Sequence, residues 1–275
     1  MKTASLHKQN EEKITFSFGA NWQDYLRTVA EASIQSARTD IEKWLGTTSM
    51  TGETVLDIGC GSGVHSLVFC RMGARRILSM DVDPLAVEAT RTLRRREGEP
   101  RNWEIIEGSI LDEALSSGLG VFDTVYAWGV LHHTGALWEA LENACRLVAP
   151  GGRLWLALYA EGPNYERDLR IKKEYNASSG FGKKIMVYHR IGQLMWRRLR
   201  GRQNPLRWNQ KKERGMNVYH DIIDWLGGLP YEVAHPERVT QFLCERGFVR
   251  HRIELFPEGC NHIYLFARDS RKGNV

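Results

Sequence analysis

The chain has 275 residues, a formal net charge of +5 at pH 7, 42% hydrophobic residues and 26% charged residues. These values are typical of a folded globular protein and exclude a largely disordered chain. No apolar run reaches the roughly 20 residues of a membrane-spanning helix, and the first ten residues lack the apolar core of a signal peptide. The five cysteines have no paired spacing, so we expect neither disulfides nor a metal site, and a cytoplasmic location.

The first segment with a clear pattern is a long, mostly helical stretch that ends at Gly46. After it, the sequence VLDIGCGSG (55–63) combines an apolar strand with a turn that contains Gly59, Gly61 and Gly63. Apolar residues at helical spacing follow from 64 to 72. A strand, a glycine turn and a helix N-terminus predict a nucleotide-sized site at the carboxyl edge of a parallel sheet.

A second apolar strand ends about twenty residues later in Asp81, where a carboxylate can hold the two hydroxyls of a ribose. Both a dinucleotide and an adenosyl compound have such a ribose. A dinucleotide fingerprint would place its third glycine where this chain has Val64. In addition, Asp57 would repel a pyrophosphate but suits the amino group of a methionine moiety. The residues therefore favour an adenosyl ligand.

Strands and helices alternate through the middle of the chain, which predicts a parallel, doubly wound sheet with right-handed crossovers. The predicted elements are strand 53–58, helix 64–72, strand 76–81, helix 84–96, strands 103–107 and 122–127, helix 136–148 and strand 152–159. A last helix begins at His235-Pro236-Glu237 and ends at Gly247. Strands at 249–256 and 261–268, with a turn at Pro257-Glu258-Gly259, are expected to close the sheet as a hairpin.

The pattern changes after residue 160, where helical periods continue without a strand. Between Glu161 and Arg214 the sequence has fifteen Lys or Arg and five Asp or Glu. We therefore divide the chain into an N-terminal lid with a binding core (1–160), a basic helical cap insertion (161–230) and the last helix with the closing strand pair (231–275). The basic segment has three interpretations: a solvated cap, a site for an acidic acceptor, or, least favoured, contact with nucleic acid or an anionic membrane.

Five motifs together resemble the class I S-adenosylmethionine-dependent methyltransferases, in particular the branch that acts on small molecules in ubiquinone and natural-product biosynthesis. In chain order they are VLDIGCGSG, SMDVDP, IIEGSILD, FDTVYAWGVLHHTG and VAPGGRLWLALY. The resemblance covers residues 50–160 and implies a Rossmann-like, mainly parallel seven-stranded sheet. It also implies S-adenosylmethionine as cofactor, S-adenosylhomocysteine (SAH) as product, and no metal. The segments 16–22, 224–232 and 259–261 resemble the flanks of one widespread branch of the family.

The predicted cofactor contacts lie mainly in these motifs. They are Asp57, Gly59, Cys60, Gly61, Gly63, Asp81, Val82, Ser109, Ile110, Trp128 and Trp22. Val82 is expected to pack on the ribose or adenine. Many relatives have an acidic residue where this chain has Ser109, which weakens the adenine contact. Trp22 is either a lid over the sulfonium or a buried anchor for the first helix.

His132 and His133 are the candidate bases, because the loop after the fourth strand faces the methyl group in this fold. An imidazole with a pKa near ~6.5 is suited to proton transfer at neutral pH. The alternative is that one histidine caps the next helix while the shape of the pocket promotes the reaction.

A polar and aromatic cluster before the last helix predicts a substrate pocket, although it is also compatible with a core of the insertion. Its residues are Tyr219, His220, Asp224, Trp225, Tyr231 and, from the last strand, Asn261. The sequence thus predicts methyl transfer to an O, N or C atom of a small molecule by a monomer or homodimer. The alternatives are an intramolecular displacement that releases methylthioadenosine, modification of tRNA or a lipid head group, and a cofactor-binding protein without catalysis.

Overall fold

The computed structural model describes residue 16 and residues 18–209, 218–257 and 260–270. The predicted turn at 258–259, the glycine of the segment 259–261 and residue 17 of the segment 16–22 lie outside the described residues. None of the helices in the described ranges has the length and apolarity that crossing a membrane requires.

A seven-stranded sheet forms the centre of the fold. Its strands are β1 (Thr54–Ile58), β2 (Arg76–Asp81), β3 (Trp103–Glu107), β4 (Phe122–Trp128), β5 (Val148–Tyr159), β6 (Phe248–Glu254) and β7 (Asn261–Arg268). Their order is β3-β2-β1-β4-β5-β7-β6, and β7 runs antiparallel to both of its neighbours while the first five strands pair in parallel. The predicted doubly wound, mainly parallel fold is confirmed. The strand order changes direction between β1 and β4, which is where ligands bind in open α/β sheets.

Ten α-helices lie within the described residues. They are α1 (Phe18–Thr28), α2 (Glu31–Leu45), α3 (Val64–Arg71), α4 (Pro84–Arg96), α5 (Glu113–Gly118), α6 (Leu137–Arg146), α7 (Tyr165–Ala177), α8 (Gly180–Arg200), α9 (Val218–Gly227) and α10 (Pro236–Glu245).

The sheet is apolar on both faces because both are covered. Neighbouring residues of one strand belong to different cores: Leu56 packs with residues of α6 and α10, whereas Val55 packs with residues of α2 and α3. Successive side chains of a strand point to opposite faces, so a strand between two helical layers is apolar throughout.

Three details of the predicted elements were wrong. The helix predicted over 136–148 ends at Arg146, because Val148 already pairs with Phe122 of β4. The strand predicted over 152–159 begins earlier, at Val148. Helix α5 was not predicted, although Asp112 supplies an N-cap signal and accepts a hydrogen bond from Leu115 N.

Helices α7, α8 and α9 follow β5 and share a small core in which Tyr175, Val187, Ile191 and Leu226 are buried. They occupy the region predicted as a basic helical insertion. The chain then returns alongside the end of β5, where Ala234 N donates to Tyr159 O at 3.1 Å. This return places the segment 228–234 over the carboxyl ends of the central strands.

Candidate functional site

The glycine turn after β1 lies at the point where the strand order changes direction. Gly59, Gly61 and Gly63 have φ values of 70°, 55° and 78°, a region that favours glycine. A Cβ atom on Gly59 would lie 2.3 Å from a methyl carbon of Val130, and one on Gly61 would lie 2.8 Å from the Trp22 ring. The turn therefore needs glycine both for its backbone conformation and for the side chains packed against it.

Thr90 of α4 fixes the turn from the other side and was not predicted from the sequence. Its hydroxyl donates to Gly61 O at 3.0 Å and lies 3.3 Å from Cys60 Sγ. Its methyl group is the closest contact that a Cβ on Gly63 would meet. A threonine inside a helix with many charged residues carries no signal of this role in the sequence.

Two carboxylates lie beside the turn, Asp57 in β1 and Asp81 at the end of β2. Desolvation by burial raises the pKa of Asp57 to about 7, although the Ser66 hydroxyl opposes the shift. Desolvation likewise raises the pKa of Asp81 to about 6. Among the described residues, neither carboxylate forms an ion pair with a basic side chain. The site therefore presents buried acidity without a counter-charge, which a cationic ligand would stabilise.

A chain of buried hydrogen bonds orients Asp57. Trp103 Nε1 donates to Ser79 Oγ at 2.8 Å, and Ser79 Oγ lies 2.6 Å from Ser66 Oγ. Ser66 donates its hydroxyl hydrogen to Asp57 Oδ2, so the hydrogen between the two serines comes from Ser79. This chain of hydrogen bonds was not predicted from the sequence, where the small polar residues in an apolar strand and helix were the available signal.

Asp81 joins the glycine turn to α4 and α1. Its two oxygens accept from Gly61 N and Asp83 N, both at 3.0 Å. Asp83 in turn caps α4 by accepting from Leu85 N and accepts from Gly19 N of α1 at 2.8 Å. A carboxylate has about four acceptor sites, so Asp81 retains capacity for further donors.

Helix α1 covers the turn and is tied to α9. Asn21 Nδ2 donates to Asp224 Oδ1 at 2.7 Å and to His220 O at 3.0 Å. His220 Nε2 lies 3.1 Å from Asp24 Oδ2. Through these bonds the predicted lid residue Trp22 and two predicted pocket residues form one layer above the glycine turn.

The other predicted cofactor residues have different surroundings. Val82 is 51% exposed, whereas Ile110 is buried in the core. Ser109 Oγ accepts from Leu111 N, which fixes the turn after β3. Trp128, at the end of β4, packs 5.6 Å from the Trp155 ring.

The two histidines after β4 have opposite hydrogen-bond roles. His132 Nδ1 accepts from Tyr159 N at 3.3 Å, so its proton is assigned to Nε2, a buried atom without a partner among the described residues. His133 Nδ1 lies 2.6 Å from Pro230 O. A carbonyl oxygen only accepts, so His133 Nδ1 carries the proton and Nε2 presents a lone pair. His132 is thus a neutral donor and His133 a neutral acceptor.

Burial and a nearby cation keep both imidazoles neutral. Desolvation and the neighbouring His133 and Lys172 lower the pKa of His132 well below 6.5. Desolvation and Lys172 lower the pKa of His133 to about 3, although its bond to Pro230 opposes the shift.

Lys172 of α7 is fully buried inside an aromatic cage and was not predicted from the sequence. Its Nζ lies 4.6 Å from the ring centre of Tyr231, 4.7 Å from that of Trp225 and 5.2 Å from that of Tyr159, and it donates to Trp225 O. Desolvation lowers the pKa of this amine to about 7, despite the carboxylates of Asp168 and Asp224. In the sequence, Lys172 cannot be distinguished from the many exposed cations around it.

The predicted pocket residues divide between two places. Tyr219 packs against His220 near the lid at 5.6 Å between ring centres. Trp225 and Tyr231 instead surround Lys172. Tyr231 lies 5.2 Å from Tyr159, whose ring lies 4.1 Å from that of His132.

Asn261 and Glu232 complete the surroundings of the histidine loop. Asn261 pairs with Tyr159 across the sheet, and its Oδ1 is buried without a partner among the described residues. Both carboxylate oxygens of Glu232 lie 3.1 Å from Leu137 N at the start of α6, and Glu232 N donates to His132 O at 3.0 Å. Glu232, which sequence reasoning missed, thereby fixes both ends of the loop that carries the histidines.

With this geometry in place, comparisons with known proteins identify the central domain. A family described as a methyltransferase domain matches residues 55–152. The ribosomal protein L11 methyltransferase of Vibrio campbellii is 33% identical over 112 residues, which are 41% of this chain and 35% of that protein. The chain thus matches about a third of the length of this curated relative.

Solved structures share the fold at low sequence identity. Magnesium protoporphyrin IX methyltransferase from Synechocystis PCC 6803, crystallised with bound SAH, has a TM-score of 0.52 at 15% identity. The match covers 86% of this chain and 83% of that chain. The crystal structure of a protein from Bacillus halodurans C-125 named "putative methyltransferase" also has a TM-score of 0.52, at 12% identity, over 84% of this chain and 99% of that chain.

Nitrogen-15 NMR of the histidine side chains tests the assigned tautomers. We expect His133 to carry its proton on Nδ1, because Pro230 O can only accept from that nitrogen, and His132 to carry its proton on Nε2, because its Nδ1 accepts from Tyr159 N. Both should stay neutral from pH 8 to pH 5.5, since their pKa values are lowered. His132→Gln and His133→Gln assign the signals. Reversed tautomers, or a histidine of this pair that titrates near its ordinary pKa, would contradict the geometry.

Lys172→Met tests the buried amine through the pH dependence of stability. The pKa of Lys172 is lowered in the folded protein, so between about pH 7 and the ordinary lysine pKa the unfolded chain binds the extra proton. Wild-type unfolding free energy should therefore rise relative to that of Lys172→Met by about 1.4 kcal/mol for each pH unit in this window. Urea unfolding at several pH values measures this difference. The exposed neighbour Lys173→Met is the control and should follow the wild type.

Proposed function

Since the chain carries a class I S-adenosylmethionine-dependent methyltransferase domain, we propose that it transfers the methyl group of S-adenosylmethionine to an oxygen, nitrogen or carbon atom of a small-molecule acceptor. The observation that carries this proposal is the buried, uncompensated acidity of Asp57 and Asp81 beside the glycine turn. The five cysteines, all free thiols, support a cytoplasmic enzyme.

The residues at the turn fit this cofactor. S-adenosylmethionine has an ammonium group and a sulfonium group, and the two carboxylates complement positive charge. A nicotinamide dinucleotide would bring a pyrophosphate to the same place, where like charges would repel it. Asp81 retains acceptor capacity for ribose hydroxyls after binding Gly61 N and Asp83 N.

When bound, S-adenosylmethionine supplies an electrophilic methyl group. The chain's own contribution is to orient the acceptor. His133 Nε2, with its free lone pair, would accept a hydrogen bond from a hydroxyl or ammonium of the acceptor and orient it. His132 Nε2–H is positioned to donate a hydrogen bond, because its other nitrogen is held by Tyr159 N. Burial and Lys172 keep both imidazoles neutral and lower their pKa values, so in the protein without ligand they are weak bases that hold an acceptor by hydrogen bonds.

The surroundings of the histidines support an acceptor of limited size. Above the strand ends lie α1, α9 and the segment 228–234, joined by the bonds of Asn21 and Glu232. The aromatic rings of Tyr159, Trp225 and Tyr231 enclose Lys172 beside the histidines, so this side of the site is filled. The curated relative named for ribosomal protein L11 makes a protein acceptor the competing proposal.

Calorimetry with SAH tests the cofactor site through Asp57. In the free protein the Asp57 carboxyl holds its proton up to about pH 7, and a ligand ammonium favours the ionised form. Below about pH 7, SAH affinity should therefore fall by up to about tenfold for each pH unit. Asp57→Asn should weaken binding at pH 7.5 and remove this contribution to the pH dependence.

The matched control is Asp112→Asn, since asparagine can replace this aspartate as the N-cap of α5. This variant should bind SAH like the wild type at every pH. If a nicotinamide dinucleotide binds tightly while SAH produces no heat, the cofactor assignment is wrong.

Product analysis separates methyl transfer from the other reactions. The protein is incubated with S-adenosylmethionine and either the small-molecule fraction of a cell extract or purified ribosomal protein L11. We expect SAH to accumulate with the small-molecule fraction, because the acceptor must lie under α1 and α9. Methylthioadenosine would instead indicate intramolecular displacement, SAH with L11 alone would indicate a protein acceptor, and cofactor binding without either product would contradict catalysis.

A further inference from the structure

One face of α8 exposes large apolar side chains along most of its length. We define the α8 apolar face as Phe181, Ile185, Tyr188, Trp196 and Leu199, whose exposed fractions range from 54% to 76%. At 100° per residue these five positions fall on one stripe of the helix. Most large apolar residues elsewhere in the described chain are buried, so this contiguous stripe is unlike singly exposed residues such as Val121.

Within the described residues, the buried packing of α8 lies on its other side. Helix α8 packs through its opposite side, where Val187 and Ile191 are buried against Tyr175 and Leu226. An amphipathic helix usually directs its apolar side inward and its polar side to water. Helix α8 is apolar on both sides, and its outward apolar side stays exposed among the described residues.

Positive charges border the face. The 21 residues of α8 include two Lys, four Arg and no acidic residue. Lys184 and Arg200 lie on opposite edges of the stripe by their helical angles, and the Arg200 guanidinium lies 4.4 Å over the Trp196 ring. Long basic side chains in this position can place their stems along apolar surface and their charges at a polar boundary.

We propose that the α8 apolar face lies in the surface of an anionic phospholipid bilayer. Apolar and aromatic side chains would enter the boundary between head groups and acyl chains, while the bordering lysine and arginine side chains would contact lipid phosphates. A helix of 21 residues is about 30 Å long and can lie flat on a membrane.

The charge of α8 decides between a bilayer and a second copy of the chain. Pairing two α8 apolar faces in a symmetric dimer would bring the basic borders of both helices together without an acidic residue on either helix. An anionic bilayer places opposite charge at the same borders. From the sequence, contact with nucleic acid or a membrane was the least favoured interpretation of this segment. The sequence does not separate the exposed apolar residues of the segment from the buried ones.

Flotation of the full-length protein with lipid vesicles tests the proposal. We expect it to float with vesicles of phosphatidylcholine and phosphatidylglycerol, but not with phosphatidylcholine alone, and binding should weaken as salt is raised. The double variant Ile185→Ser, Trp196→Ser should lower the partition coefficient by about tenfold or more, because two apolar side chains no longer leave water. Cofactor and turnover are not involved, so the outcome is independent of the proposed reaction.

Matched variants distinguish lipid binding by the α8 apolar face from non-specific hydrophobic adsorption and from non-specific electrostatic attraction. Val121→Ser and Val249→Ser remove apolar side chains that are 52% and 56% exposed elsewhere, and both should bind vesicles like the wild type. The double variant Lys184→Gln, Arg200→Gln should weaken binding to the anionic vesicles. Arg101→Gln removes an exposed charge distant from α8 in the sequence and should not weaken binding.

Three results would overturn the proposal, provided that circular dichroism shows folded variants. The first is equal binding to neutral and anionic vesicles, or none to either. The second is unchanged binding by the Ile185→Ser, Trp196→Ser variant. The third is a protein dimer in sedimentation velocity that this variant dissociates while lipid binding is absent, which would assign the face to a second copy of the chain.

Discussion

The arrangement of the site depends on keeping two carboxylates, Asp57 and Asp81, out of water without a basic partner. Ionising a buried carboxyl is unfavourable, and the raised pKa values of both groups express that cost. The fold reduces it only by hydrogen bonds: Ser66 donates to Asp57, and Gly61 N donates to Asp81. A structural core would be more stable with apolar residues here. The retained acidity is therefore best explained by a ligand that supplies positive charge.

The same hydrogen bonds fix the positions of the helices and the turn around these two carboxylates. Asp81 binds the glycine turn and Asp83, and Asp83 binds both α4 and the first turn of α1. Helix α1 then reaches α9 through Asn21. Because α1, the glycine turn and α9 share this network, a change of charge at the strand ends is coupled to the layer that covers them.

Lys172 is a second buried charged group, and the fold stabilises it in a different way. Lys172 is surrounded by three aromatic rings and one backbone carbonyl, and burial lowers its pKa to about 7. Its charge helps to keep the imidazoles of His132 and His133 neutral. The bilayer-facing side proposed for α8 belongs to the same helical group, since α8 packs on α7 and α9.

The sequence by itself determined the sheet, the glycine turn and the acidic strand ends. Apolar runs that alternate with glycine turns are local patterns of the sequence. Residues such as Gly59 and Asp81 follow directly on such runs, so their place at the ends of parallel strands can be predicted without the tertiary structure. Only the tertiary structure decided the proton positions of the two histidines, because Tyr159 N and Pro230 O, which set them, are distant in sequence. The same holds for Thr90, Glu232 and Lys172. Their functions arise from burial and from contacts made across the fold. The sequence of a basic segment does not reveal which of its cations is enclosed by aromatic rings. Nor does it reveal which of its apolar side chains stay exposed to water.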